Sequence, residues 1–374
     1  MSKKIKIYCV LFDTLPFDQK IELLAKKNNM NLLTQVGGCF TNNSCIEMLT
    51  GDMPSDLRYH GMGHLCHNKY RHSKTKDISW PWKDKILLNI FFSNGWNIRY
   101  HDGEHFSNVI SNNKKIKTTS TDRDDTILLN EGKKGKMLMD VEKMFTKKMQ
   151  MEKVSNNTFY FIRHEHYHKA VDLHRKKDAK KVKHKKKVAI KKSINLMNQW
   201  DFNEKNAIFW FFSDHGDWNY PFDLRHPNPQ NYFSFALCKD NTKNPLVIKS
   251  KYISIRDFFS TFMNKFNYEY SKNSETYSIE NKQDKNRIYY VEDGRKKIND
   301  DISTTAMACK FVNWEDGHPQ GLLQVSYHIC DKTWVCRLIK INKNGIAKKI
   351  IEKDIIDRML KRAVIKKFEW VKNE

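Results

Sequence analysis

Acidic and histidine side chains follow two apolar runs of the sequence, at the point where each run ends. Asp13 comes directly after the run from Ile5 to Phe12, and Asp214 and His215 follow the run from Ala207 to Phe212 in the tetrapeptide Ser-Asp-His-Gly. An adjacent carboxylate and imidazole on a tight turn are ligands that suit Zn²⁺ or Mn²⁺. A strand-end turn with a capping aspartate is the alternative for this tetrapeptide taken alone.

A cluster of histidines is a second candidate for metal chemistry. His164, His166 and His168 stand at alternate positions in the segment RHEHYHK. Alternate positions share one face of a strand and positions four apart share one face of a helix, so either geometry lets two imidazoles converge on one ion. Solvated imidazoles at a polar strand end are the alternative. Arg225 and His226 are further candidates that carry little weight on their own.

Strands and helices alternate around these residues, which predicts an α/β fold with a doubly wound sheet. Short runs rich in β-branched and aromatic residues predict buried strands at Ile5–Phe12, Thr158–Arg163 and Ala207–Phe212. In such sheets ligands bind outside the carboxyl ends of the strands, where the candidate acids and histidines lie. The predicted helices are Asp18–Asn28, Cys45–Leu49, Lys83–Asn94, Val188–Trp200 and the segment around Phe258–Phe266.

The last part of the chain predicts a smaller sheet. Strand-like segments occur at Ile288–Glu292, Gly321–Ile329 and Thr333–Ile341, and Ile351–Val364 has a helical pattern. We therefore expect a catalytic α/β core over residues 1–290. Residues 291–374 are expected to form a small β-sheet plus helix subdomain packed on it.

Composition constrains the partners. The chain is 39% hydrophobic, too apolar for a disordered protein, and its net charge of +24 favours anionic partners. Much of the positive charge lies in the Lys-rich segment His174–Lys192. This segment is a candidate for binding nucleic acid or another polyanion. A solvated basic face is the favoured interpretation, because no stacking aromatic residues interleave the lysines.

Features of export are lacking. The eight cysteines form no CxxC pair, the basic start leads into a short apolar run that ends in an acid, and no run reaches about 18 apolar residues. We therefore expect a cytoplasmic protein with no membrane span.

The segment FTNNSCIEMLTG, residues Phe40–Gly51, resembles the sulfatase signature, in which Cys or Ser is followed by x-P-S-R and, after a short helix, by L-T-G. Thr41 falls on the nucleophile and Ser44 on the signature serine. LFDTLPFD is similar to the family's opening strand with its metal aspartate, FYFIRHEHYH to a segment that ends in a site histidine, and FFSDHGDW to its S-D-H-G turn. KYISIRDFFSTFM is similar to a later stretch with an aspartate, here Asp257. The ordered set covers most of residues 5–340.

The resemblance implies an alkaline phosphatase-like three-layer α/β/α sandwich with a small C-terminal sheet subdomain. The Pro and Arg of the signature are replaced by Asn43 and Cys45, and its Cys by Thr41, so maturation to formylglycine is not expected. A threonine nucleophile resembles the phosphodiesterase and phosphoethanolamine or glycerophosphate transferase branches. The resemblance thus implies a metal-dependent hydrolase or transferase that cleaves phosphate esters, either phosphodiesters or phosphomonoesters.

The same resemblance implies a mechanism. Asp13, Asp214, His215 and the Thr41 oxygen would hold one divalent metal, and in-line attack would give a covalent phospho-Thr41. A second ion would be held by some of His164, His168 and His226, or these histidines would bind the ester or protonate its leaving group. Thr14 and His215, at positions where calcium enzymes have other residues, favour Zn or Mn over Ca or Mg. Asn42, Ser44 and Arg225 are the expected contacts to the anionic ester.

Two other functions stay open on the sequence. One is a sulfatase acting on sulfate esters, that is, a sulfuric ester hydrolase, which the same fold would permit. The other is an inactive sulfatase-like binding protein whose basic surface holds polyanions. Loss of activity with a chelator or with Thr41→Ala would distinguish an enzyme from a binding protein.

Overall fold

The structure is a computed structural model that describes residues 4–38, 41–53, 86–101, 146–164, 166–167, 179–217, 227–270, 275–298, 301–328, 331–342, 347–352, 358–368 and 371. Its strands are β1 (Lys6–Phe12), β2 (Asn31–Val36), β3 (Asn97–His101), β4 (Thr158–His164), β5 (Ala207–Phe212), β6 (Phe233–Asp240), β7 (Tyr252–Ser254), β8 (Ile288–Ile298), β9 (Asp301–Glu315), β10 (His318–His328), β11 (Thr333–Ile341) and β12 (Ala347–Glu352). Its helices are α1 (Gln19–Lys27), α2 (Thr41–Thr50), α3 (Leu87–Ser93), α4 (Ala179–Met197), α5 (Pro229–Tyr232), α6 (Asp257–Lys265) and α7 (Arg358–Lys367).

A seven-stranded, mostly parallel sheet has the strand order β3-β4-β1-β5-β6-β2-β7. β1 pairs in parallel with β4 and β5, whereas β6 runs antiparallel to β5. Every residue of β1 and of β5 is buried, as expected for central strands covered on both faces. The three strands predicted from apolar runs are therefore confirmed, and they form the centre of the sheet.

The register of these strands decides where the candidate site lies. Phe12 is opposite His164, and Leu11 is opposite both Arg163 and Phe212. Because the strands are parallel and end together, the residues that follow β1, β4 and β5 leave the sheet at one edge. This edge is the carboxyl end, where ligands bind in open α/β sheets.

The second sheet is antiparallel, with the order β12-β11-β10-β9-β8. Apolar residues of β9 and β10 pack against Leu360, Val364 and Phe368 of α7 or directly after it. The predicted helix over Ile351–Val364 is wrong at its start, because β12 continues to Glu352 and Ile351 lies opposite Leu338 of β11. Helix α7 begins at Arg358.

The chain divides into two compact units. The first comprises Met1–Leu33, Asp84–Ser213 and Phe235–Val247, and the second comprises Thr34–Lys83, Asp214–Ser234 and Ile248–Glu374. In the first unit, Tyr8 stacks between Tyr160 and Phe209, with ring centroids 5.0 and 5.3 Å away. The core of the second unit gathers residues of the antiparallel sheet around Tyr232 and Tyr252. The domain boundary at residue 290 stays a prediction.

Within the part of the chain that is described, no helix has the length and apolar character that crossing a membrane requires.

Candidate active site

Asp13 is held in a tight turn at the carboxyl end of β1. Its backbone N–H donates to the carbonyl of His164 at 2.9 Å, and the N–H of Leu15 donates to the carbonyl of Phe12 at 3.1 Å. The intervening Thr14 has a φ of 59°, a left-handed conformation that a β-branched residue rarely adopts. Its hydroxyl donates to Asp13 Oδ1 at 2.6 Å. The turn therefore fixes a fully buried carboxylate at the edge of the sheet.

Arg163 is the immediate neighbour of Asp13. Its Nε and Nη2 both donate to Asp13 Oδ2, with Nε at 3.1 Å, and its side chain is almost fully buried. Arg163 was not among the site residues predicted from the sequence. The sequence shows Arg163 as a cation next to His164 at a strand end. That it pairs with Asp13 follows from the strand register, which places Arg163 opposite Leu11.

The Ser-Asp-His-Gly turn after β5 is shaped by its glycine. The N–H of Gly216 donates to the carbonyl of Asn231 at 3.0 Å. A Cβ on Gly216 would lie 1.9 Å from the carbonyl oxygen of Gln230 and 2.5 Å from that of Phe233, so no other residue fits without a shift of the backbone. Gly37 also packs closely against this turn, since a Cβ on Gly37 would lie 2.8 Å from the carbonyl oxygen of Asp214.

The turn also sets the tautomer of His215. His215 Nδ1 lies 2.9 Å from the carbonyl oxygen of Gly216, which can only accept, so Nδ1 carries the proton. In the neutral ring Nε2 then presents a lone pair, and it lies 3.4 Å from Asp214 Oδ2. A carboxylate oxygen and an imidazole nitrogen at this separation are both atoms that can bind a divalent metal.

Asp13, Asp214 and His215 converge. Each offers one ligand atom, and these atoms all lie within 4.8 Å of one another, with the three residues at most 1% exposed. Two atoms bound to a tetrahedral zinc at about 2.1 Å stand about 3.4 Å apart, the separation that Nε2 and Oδ2 already have. Two carboxylates and an imidazole therefore fit a divalent transition metal.

Thr41 is the first residue of α2 and is 8% exposed. The apolar residues Cys45, Met48 and Leu49 are buried, and α2 ends at Gly51, whose φ is 74°. The first turn of α2 contains Ser44, whose Oγ is buried and has no hydrogen-bond partner among the described residues. The amino-terminal turn of a helix attracts anions through its N–H groups and dipole.

The remaining predicted residues are only partly described. His164 ends β4 and its ring lies 5.2 Å from that of Phe12, while His166 stacks on His164 with ring centroids 6.2 Å apart. His168, Arg225 and His226 lie outside the described residues, as does the side chain of Asn42. The structure therefore brings together Asp13, Asp214 and His215, and the second metal site stays a prediction.

A mostly parallel sheet with a separate antiparallel sheet is the architecture of the alkaline phosphatase superfamily, and solved structures of that class match almost the whole chain. One neighbour is a protein of Bacteroides thetaiotaomicron assigned as a sulfatase, 10% identical, with a TM-score of 0.58 and coverage of 100% of this chain and 92% of that chain. A second is a Vibrio parahaemolyticus protein of the alkaline phosphatase superfamily, 11% identical, with a TM-score of 0.55 and coverage of 100% and 88%.

A third neighbour is the phosphonate monoester hydrolase of Agrobacterium radiobacter, 8% identical, with a TM-score of 0.51 and coverage of 99% of this chain and 95% of that chain. No family model and no curated protein matches the chain. At these identities the likeness establishes the fold. The sulfatase or alkaline phosphatase-like fold predicted from the sequence is confirmed.

Proposed function

We propose that this protein is a metal-dependent, sulfatase-like hydrolase or transferase that cleaves phosphate esters with Thr41 as its nucleophile. The observation that carries the proposal is the buried convergence of Asp13, Asp214 and His215 at the carboxyl edge of the sheet, where the Asp214 carboxylate and the His215 imidazole lie 3.4 Å apart. A fold that holds such a group at its usual ligand-binding edge is well suited to metal-assisted ester cleavage.

The proposed ligands of the ion are Asp13, Asp214, His215 and the Thr41 oxygen. When bound, the ion would make the threonine hydroxyl a usable nucleophile near neutral pH. A neutral imidazole among the ligands favours Zn²⁺ or Mn²⁺ over Ca²⁺ or Mg²⁺, which prefer oxygen. The turn at Gly216 supports this role, because it keeps the Nε2 lone pair of His215 pointed at the carboxylate.

The chain's own groups account for substrate binding. Thr41 Oγ would attack phosphorus in line and form a phospho-threonine, while the ester oxygens meet the N–H groups of the first turn of α2. The unpartnered hydroxyl of Ser44 is a natural donor to such an oxygen, because a buried polar atom without a partner is costly. Asn42 and Arg225 are proposed as further contacts to the same anion.

The leaving oxygen needs a proton or a second positive charge. His164, His168 and His226 are proposed for this side of the reaction, as proton donors or as ligands of a second ion. The excess of Lys and Arg, including the exposed Lys183, Lys185 and Lys187 of α4, would attract an anionic ester to the protein.

A sulfatase acting on sulfate esters is the second candidate, and one structural neighbour is assigned to that class. Thr41 argues for phosphate, because the signature cysteine from which formylglycine is made is absent. A catalytically inactive protein that binds polyanions through its basic surface is the third possibility. The three functions predict different substrate preferences and different responses to the loss of one hydroxyl group.

The test combines metal analysis with hydrolysis of a nitrophenyl phosphate monoester, a phosphate diester and a sulfate ester. We expect bound Zn or Mn, turnover of a phosphate ester that a chelator abolishes, and a loss of about 10³-fold or more in Thr41→Ala with the metal retained. Thr50→Ala, at the far end of the same helix, is the matched control and should keep its activity. Full turnover by Thr41→Ala would overturn the proposed nucleophile, and preference for the sulfate ester would select the second candidate.

A further inference from the structure

We propose that Arg163 is a permanent counter-cation of the metal site and limits the site to one divalent ion per chain. The proposal rests on the metal site proposed above, but it concerns a residue that none of the predicted ligand sets contains. Its starting point is the ion pair between Arg163 and Asp13, in which the exposed fractions of the two side chains are 4% and 0%. An arginine guanidinium keeps its charge under all ordinary conditions.

The geometry of this pair leaves little room for a second ion at Asp13. Both Nε and Nη2 of Arg163 donate to Oδ2, and the Thr14 hydroxyl donates to Oδ1 at 2.6 Å. A carboxylate shared by two ions about 4 Å apart needs oxygen lone pairs that face both of them. The guanidinium covers one of those directions and would stand next to the second ion, where the two positive charges repel in a buried site.

The charges of the described residues also favour one divalent ion per chain. Asp13 and Asp214 carry two negative charges, and Arg163 carries one positive charge. One divalent ion brings this group to a net charge of +1, which suits an anionic ester. A second divalent ion would bring the same residues to +3, an excess of positive charge that is costly in a buried site.

Arg163 would also hold the site together before the ion arrives. Asp13 and Asp214 are fully buried, and two close carboxylates repel each other in a medium of low dielectric constant. Arg163 offsets that repulsion for Asp13 in the metal-free protein. It is a positioning residue in this scheme, because it acts on the substrate only through Asp13 and the ion.

The test is a titration of the metal-free full-length protein with Mn²⁺ by calorimetry, with bound manganese counted by elemental analysis after dialysis. We expect one ion per wild-type chain. In Arg163→Gln the freed oxygen and the lost repulsion should raise the affinity about tenfold or admit a second ion, whereas Arg163→Lys should still bind one. Arg99→Gln is the matched control, because Arg99 pairs with Glu152 at 3.1 Å in the same unit and lies opposite Tyr160, three residues before Arg163 on β4.

Two ions per wild-type chain would overturn the proposal, and this count requires no variant to fold. Equal number and affinity in wild type and Arg163→Gln would also overturn it. Absence of Mn²⁺ binding would remove the proposed metal site and this inference together. One ion per chain with the expected variant behaviour, in a protein that turns over no ester, would uphold Arg163 and refute the proposed function alone.

Discussion

Two buried aspartate–arginine pairs make an instructive comparison. Asp257 and Arg287 form a two-pronged ion pair at 2.5 and 2.7 Å, and the backbone N–H groups of Ser254 and Tyr277 also donate to the carboxylate of Asp257, each at 2.9 Å. Asp13 accepts from Nε and Nη2 of Arg163 through Oδ2, and it lies in a group with a second carboxylate and an imidazole. Both pairs are buried, yet their surroundings differ.

The difference lies in the groups that surround the carboxylates of Asp257 and Asp13. Each oxygen of Asp257 has two donors, and the Arg287 guanidinium lies 4.4 Å and 4.8 Å from the ring centroids of Tyr277 and Tyr289. This ion pair connects the segment before β8 to the start of α6, so it stabilises the fold. Asp13, by contrast, lies beside Asp214 and His215, and one ligand atom from each of the three lies within 4.8 Å of the others. Burial of an ion pair therefore does not by itself indicate a metal site, whereas the convergence of three ligand atoms supports the proposed one.

The sharpest test of this contrast exchanges one carboxylate for an amide in each region. Asp214→Asn should reduce Mn²⁺ affinity and turnover about 100-fold or more and leave the folded protein intact, because it removes a proposed ligand charge. Asp257→Asn should lower the free energy of unfolding by about 3–5 kcal/mol, because it leaves the buried charge of Arg287 without its partner. Calorimetric metal titration, turnover and urea unfolding of both variants measure the two effects.

The contrast fails if the two variants behave alike. Loss of stability without loss of metal affinity in Asp214→Asn would make the first carboxylate structural as well. Conversely, a stable Asp257→Asn that no longer turns over ester would move Asp257 into the active site, which is where the sequence resemblance had an aspartate.

The two regions also differ in how well the sequence predicted them. Asp13, Asp214 and His215 could be selected because each follows an apolar run, and parallel strands bring their carboxyl ends to one edge. Arg163 could not be selected, because its role depends on strand register. The role of Asp257 could not be predicted either, since its partner Arg287 lies thirty residues further along the chain.

The fold shows the same limit. Fully apolar strands such as β5 were predicted, because their composition alone marks central positions. β2 and β6 were not, since neither stands out as a fully apolar run and their partners, β7 and β5, become clear only in three dimensions. The error at Ile351 has the same origin, because the apolar pair at positions 350 and 351 fits a helix as well as an edge strand until the pairing with β11 is known.

A second test strains the metal-site turn without changing a ligand. In Gly216→Ala the new Cβ would meet the carbonyl oxygens of Gln230 and Phe233, so the turn must move, at a cost of about 1–3 kcal/mol. Because this turn aims His215 Nε2, Mn²⁺ affinity should fall about tenfold. Gly317→Ala is the matched control. It costs about 1 kcal/mol through its left-handed backbone, with a φ of 75° and no atom within 4 Å of the added Cβ, and it should leave Mn²⁺ affinity unchanged.

The smallest expected effect concerns the acid sensitivity of the structural region around Asp257. Burial alone would raise the pKa of Glu275, but the charges of Arg256 and Lys367, each with a nitrogen 2.9 Å from its carboxylate, outweigh burial and hold that pKa below its ordinary value. Because the folded-state pKa is lowered, the stabilisation is present above the unfolded pKa and is lost as the pH falls through the folded value. Glu275→Gln should therefore be less stable than wild type near pH 7 by about 1 kcal/mol, and the difference should vanish in acid. Urea midpoints of both proteins from neutral to acidic pH measure this, and a difference that persisted at low pH would show that Glu275 acts through packing instead of charge.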